Sequence, residues 1–179
     1  IGLDVKFENP DFPQSITGVD VYRYAANSVN EVTTQGFSIG LNYYINNQFM
    51  LAGNYSWNQL LKADEDDPII PAFNTPEHKF NVSFSARDLK LRERSTWGFS
   101  LNYKWVEGFD FEGSPQFTGF VPTFDLLDAQ VSANIEQLHT TFKVGGSNLL
   151  QNIHIETYGG PAVGRLMYVS AVYDFNHRK

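Results

Sequence analysis

Four stretches carry residue types able to do chemistry. Gly36-Phe37-Ser38-Ile39-Gly40 has the spacing of a nucleophile elbow, where a serine sits on a sharp turn from strand to helix. Here Ser38 lies inside an alternating run with no helical pattern after it, so it reads as an inward-facing strand serine. The acidic run Asp64-Glu65-Asp66-Asp67 offers oxygen ligands but lacks the glycine and distal glutamate of an EF-hand loop, and reads as a solvated loop. His78, His139, His154 and His177 are scattered without i, i+4 ligand spacing and read as solvated side chains. With no cysteine in the chain, thiolate nucleophiles, thiolate metal sites and disulfides are excluded. No catalytic residue, metal site or cofactor is assigned, and an enzyme is not expected.

The fourth stretch, 106–123, is a candidate binding loop. Phe109, Phe111, Phe117 and Phe120 are interleaved with Gly108, Gly113, Pro115 and Gly119. Aromatics on a loop held by a rigid scaffold can grip a sugar, a peptide or a partner lid. The competing reading is that they pack the loop onto its neighbours.

The elements that would hold such a loop show period two nearly everywhere. In Trp97 to Trp105, apolar Trp97, Phe99, Leu101, Tyr103 and Trp105 alternate with Gly98, Ser100, Asn102 and Lys104. The same rhythm runs through Phe37 to Tyr43, Phe80 to Ala86, Leu127 to Ile135, Phe142 to Val144 and Met167 to Phe175. Phe49 to Trp57 has one apolar face and a less polar second one. Weaker strands are expected near Leu3 to Phe7 and Val19 to Tyr24, which makes about eight or nine. Connections alternate in length: Asn46-Asn47, Asp88 to Ser95 and Glu136 to His139 are short, whereas Ala26 to Thr34, Gln59 to Pro76, Val106 to Thr123 and Leu149 to Gly164 are long. An up-and-down antiparallel β-barrel spanning a membrane shows this rhythm. Loops of this length are unusual within a compact soluble domain.

Composition agrees. The chain has 179 residues, one domain's worth, with 13 basic and 20 acidic residues and a net charge of −7. That balance argues against nucleic acid, whose phosphates call for a basic face. Aromatics make up 15% and charged residues only 18%, which excludes a disordered tail. No apolar run reaches the roughly 18 residues of a membrane helix, and no signal peptide is visible.

Two features turn the apolar face outward rather than into a soluble barrel. Trp97 and Trp105 share one strand face eight residues apart, about 21 Å along the normal of a tilted strand, close to the roughly 25 Å apolar band between aromatic girdles. The opposite face is mostly Gly, Ser, Asn and Gln, which suits a wet lumen and fills a narrow closed barrel poorly. The expected outer band carries Phe37, Ile39, Leu41, Phe80, Val82, Phe99, Leu101 and Tyr103. Trp57, Trp97, Trp105, Tyr173 and Phe175 are the expected interface girdle.

Residues 33–43, Thr-Thr-Gln-Gly-Phe-Ser-Ile-Gly-Leu-Asn-Tyr, resemble a barrel strand of TonB-dependent outer-membrane receptors. Residues 71–80, with Asn74-Thr75-Pro76-Glu77-His78-Lys79, resemble that family's lead-in to a strand after a long outer loop. Asn148-Leu149-Leu150, then Gly159-Gly160-Pro161 and Gly164-Arg165, resemble its closing run before the last strand. The flavour is that of the SusC-like and carboxypeptidase-regulatory-like branch. The resemblance implies nutrient transport across the outer membrane, with long loops extracellular and the C-terminus periplasmic. Its partners would be outer-membrane lipid, a plug and upstream strands, TonB through the N-terminal part, and a surface lipoprotein lid. The family's barrels have about twenty-two strands, so residues 1–179 are expected to be the C-terminal part of a barrel domain without its plug. A complete eight-stranded outer-membrane barrel, structural, adhesive or enzymatic, would instead pair its first and last strands. A soluble ligand-binding barrel would turn its apolar face inward.

Overall fold

A computed structural model describes residues 3–5, 21–23, 32–62, 73–113 and 118–175. The acidic run Asp64–Asp67, Phe117 and His177 lie outside the described residues. The strands are β1 (Leu3–Val5), β2 (Val21–Arg23), β3 (Thr33–Tyr44), β4 (Phe49–Lys62), β5 (His78–Arg92), β6 (Ser95–Val106), β7 (Phe109–Glu112), β8 (Thr118–Val121), β9 (Phe124–Ile135), β10 (Thr140–Ser147) and β11 (Leu166–Tyr173). Among the described residues the only helical element is a single 3-10 turn, Glu136–Leu138, and no helix is long and apolar enough to cross a membrane.

Seven strands form one antiparallel sheet in the order β11-β10-β9-β6-β5-β4-β3. β7 and β8 pair with each other, as do β1 and β2. Register shows why the alternation matters. Phe37 lies opposite Trp57, Ile39 opposite Tyr55, Tyr55 opposite Phe80, and Phe80 opposite Trp105. The row continues through Tyr103 with Leu127, Phe99 with Val131, Val131 with Val144, and Val144 with Val169. Directly opposed residues share a face, so these aromatic and β-branched residues join one apolar surface. That surface is open. Ile39 is 64% exposed, Leu41 71% and Val169 77%. Phe37, Val82 and Leu101 are exposed as well, while Phe80, Phe99 and Tyr103 are half-buried by their neighbours' rings. The apolar row lines no closed interior, which removes the soluble-barrel reading. β3 and β11 each have one partner strand among the described residues, so the described sheet is not the self-closed eight-stranded barrel either.

The three tight connections, 45–48, 93–94 and 136–139, lie at one end of the sheet. The connections from β4 to β5, from β6 to β9 and from β10 to β11 leave and re-enter the sheet at the other. At the tight end Asn46 Oδ1 accepts from the backbone N–H groups of Gln48 and Phe49 at 2.8 and 2.9 Å, an Asx turn that replaces missing ladder bonds.

Three boundaries differ most from the sequence expectation, and the last strand ends at Tyr173 rather than running to Phe175. β4 runs on to Lys62, and β5 to Arg92 rather than stopping near Asp88. The latter extension is possible because the pairing shifts between Ala86 and Leu89 and again between Leu89 and Arg92, bulges that absorb charged residues without breaking the ladder. The third is the stretch 106–123, which holds the β7–β8 ribbon. Among the described residues eleven strands therefore replace the expected eight or nine.

Candidate functional site

The two faces of the sheet have opposite chemistry. On the polar face, Ser38 and Ser56 hydroxyls are 2.8 Å apart across β3–β4. Asn81 Nδ2 faces Asn102 Oδ1 at 3.5 Å, and the Tyr168 hydroxyl donates to Gln130 at 2.8 Å. These neutral hydroxyls and amides satisfy one another and leave spare valences, as a wet wall requires. Ser38 is thus mid-strand and bonded to another serine; it stands on no elbow.

On the apolar face the aromatics divide between the ends. Trp57 and Trp105 lie toward the long-loop end. The Trp57 indole donates to Glu77 Oε1 at 3.1 Å, and the Trp105 ring stacks on Phe80 at 5.5 Å. Trp97 lies at the tight-turn end, donating to Ser95 Oγ at 3.3 Å. Tyr173 and Phe175 lie at that end too, edge to face at 4.7 Å. Trp57 and Trp97 each have the polar N–H satisfied toward a strand terminus while the ring joins the apolar row.

The long-loop end carries the only hydrophobic cluster of fully buried residues among those described. Val106, Val121 and Phe124 are buried together, with Phe109, Phe111, Leu126 and Ile155 packed against them. The β7–β8 ribbon forms because Phe109-Asp110-Phe111-Glu112 alternates, placing both phenylalanines on the side that meets this cluster. Phe120 instead is 56% exposed. Of the candidate loop aromatics, then, two support the ribbon and Phe120 is displayed.

Neighbouring loops are tied to this ribbon. Asn74 donates to Glu112 O at 2.9 Å and accepts from Glu112 N–H at 2.6 Å. Thr123 Oγ1 accepts from Gly108 N–H at 2.8 Å. Gly119 lies flush against the Tyr158 ring, where a Cβ would have to displace the ring.

Sequence reasoning missed the knot that starts the last long loop. Asn148 is 2% exposed. Its backbone N–H donates to Asp128 Oδ1, its Nδ2 donates to Asn152 O, and its Oδ1 accepts from Asn152 N–H, at 2.9, 2.8 and 2.9 Å. Asn152 Nδ2 in turn donates to Asp125 Oδ1 at 2.9 Å. The φ of 51° at Asn148 is a left-handed conformation that asparagine tolerates. Beyond the knot, His154 is buried rather than solvated. Its Nδ1 lies 3.0 Å from Asn152 O, and its ring stacks on Phe124 at 4.4 Å. Lys104 Nζ caps the same phenylalanine at 5.7 Å and stands 4.0 Å from Glu156. His78 bonds the Tyr55 hydroxyl at 2.6 Å. Among the described residues no group of histidines and carboxylates could hold a metal ion.

A two-faced, antiparallel, up-and-down sheet with turns at one end and tied loops at the other is the wall of a transmembrane β-barrel. The chain matches the family model for the TonB dependent receptor-like β-barrel over residues 6–149, and it belongs to that family. No curated protein and no solved structure matches it significantly. The family is one of outer-membrane transport receptors rather than enzymes, and its members work with TonB and a plug domain.

Proposed function

We propose that residues 1–179 form the C-terminal wall of a nutrient receptor of the SusC-like and carboxypeptidase-regulatory-like branch, without its plug. The observation that carries this is the open sheet: one face is a continuous apolar band, the other is lined by polar side chains, and β3 and β11 each have one partner strand among the described residues. The polar face then lines the lumen beside the plug. Trp57 and Trp105 form the girdle at the extracellular interface, and Trp97, Tyr173 and Phe175 the girdle at the periplasmic one. The loops at 63–77, 107–123 and 148–165 are extracellular and the C-terminus is periplasmic. Phe120 is the contact displayed to ligand or to a lipoprotein lid, and Phe109 and Phe111 shape the ribbon that carries it.

Thiol labelling of intact cells tests the orientation, because the chain has no cysteine of its own. Gly113→Cys reacts with a membrane-impermeant maleimide and Asn46→Cys does not; the opposite pattern inverts the topology. Phe120→Ala lowers uptake of the receptor's nutrient with barrel folding unchanged. Unaltered uptake in that variant removes the loop from binding.

A further inference from the structure

The tight-turn end of the apolar face holds a cationic recess that transport does not use. Ala86 lies opposite Phe99, Leu89 opposite Trp97 and Arg92 opposite Ser95, so three residues of β5 twice span two of β6. Regular pairing would have turned Asp88 and Lys90 outward. The first bulge places Leu89 there instead, and the second leaves Arg92 outward beyond it. The resulting surface is an apolar groove of about 320 Å³ along Leu89, Leu91, Trp97 and Val131. It runs at Trp97 into an open recess of about 800 Å³ bordered by Arg92, Arg94 and Ile135, with Glu93 on the same rim.

Charge in this segment opposes that of the chain. Residues 87–94 carry four basic side chains and two acidic ones, within a protein of net charge −7. Among the described residues neither the Arg92 nor the Arg94 guanidinium is paired with a carboxylate. Arg94 holds φ at 61°, a conformation that glycine or asparagine adopts at lower cost. Leu91 beside them is 72% exposed. An unpaired pair of guanidiniums at the mouth of an apolar groove, beside an indole at the interface, is complementary to one molecular shape: an anionic head on an acyl chain.

We propose that this recess binds an anionic glycerophospholipid of the membrane leaflet at the tight-turn end. The phosphodiester lies between Arg92 and Arg94, and one acyl chain follows Leu89 and Leu91 past Trp97. The site rests on the outer-membrane reading with the tight turns periplasmic.

The test uses the natural full-length protein in nanodiscs of equal phosphatidylglycerol and phosphatidylethanolamine, with lipids retained after detergent extraction counted by native mass spectrometry. The expected result is preferential retention of phosphatidylglycerol, about fivefold for each arginine engaged. R92Q/R94Q abolishes the preference, and R92K/R94K keeps part of it, because an ammonium still attracts phosphate as a point charge. Heat-modifiable migration on gels is recorded for every sample. A protein without that shift sinks the barrel reading itself, whereas a shifted barrel retaining both lipids equally overturns this proposal alone. A parallel nanodisc preparation that also contains lipopolysaccharide checks the leaflet: retention of lipopolysaccharide that R92Q/R94Q removes places the arginines in the opposite leaflet and also overturns it.

Discussion

Tyr168 on β11 reaches across β10 to donate its hydroxyl to Gln130 on β9, at 2.8 Å. It passes over Gly145, where a Cβ would stand 2.6 Å from the tyrosine oxygen and 2.9 Å from the Ala129 carbonyl. The bond and the glycine are one device: the ring covers backbone that has no side chain of its own and locks three strands in register. Gly145→Val is expected to expel the ring and strain β10, destabilising the last hairpin by about 1–3 kcal/mol. Heat-modifiable migration in the membrane fraction checks this. Tyr168→Phe keeps the ring and loses only the bond, so a milder effect, about 0.5–1.5 kcal/mol, is expected there.

His154 is held against Phe124 by ring stacking at 4.4 Å and by its contact with Asn152 O. That contact clamps the 148–165 loop over the start of β9. His154→Ala should cost about 0.5–1.5 kcal/mol of local stability, leaving the sheet intact. Limited proteolysis gives the readout: cleavage within the loop accelerates up to about tenfold, while the strands stay protected. Uniform loss of protection across the chain would mean that the histidine supports the whole barrel.

Asn148 combines a left-handed backbone with a reciprocal pair of side-chain bonds to Asn152, and the two contributions separate by substitution. Asn148→Gly accepts the φ of 51° but loses both side-chain bonds. Asn148→Ala loses the bonds and adds strain. Each leaves Asn152 groups without their partner, so a loss of about 1–3 kcal/mol is expected for glycine and a larger one for alanine. Equal effects of the two, read from chemical unfolding of the reconstituted barrel, would show that the backbone conformation contributes nothing.

Face assignment and connection rhythm were legible in the sequence because both follow from a single requirement: a strand wetted on one side and greasy on the other alternates with period two. Phe37, Val82, Leu101 and Val169 were placed by parity alone. The β7–β8 ribbon is masked in the sequence: Phe109-Asp110-Phe111-Glu112 alternates, but the glycines and proline around it carry the stronger turn signal. The bulges at Ala86–Arg92 were not readable. Charged residues at a strand end suggest a turn, and only cross-strand register distinguishes a turn from an absorbed insertion. The burial of His154 and Asn148 is equally hidden, because their partners Phe124 and Asp128 lie 20 or more residues away in the chain.

Phe175 is 89% exposed, and among the described residues its ring contact is the edge-to-face pair with Tyr173. The backbone just before it is fixed, since Asp174 N–H donates to His139 O at 2.9 Å, so the ring is displayed from an ordered strand end. A side chain so weakly packed contributes little to the folded state. Its place at the end of an alternating edge strand suits recognition during assembly, when a partner sheet adds to the exposed backbone of β11. Phe175→Asp should therefore lower the amount of receptor reaching the outer membrane several-fold. Barrel that does assemble should unfold at an unchanged denaturant concentration, within about 0.5 kcal/mol, as surface substitutions do. Phe175→Trp, which keeps an aromatic at the interface, is expected to restore normal levels. Normal membrane levels of the aspartate variant would remove the assembly role, and a drop in both level and unfolding midpoint would make Phe175 a structural contact instead.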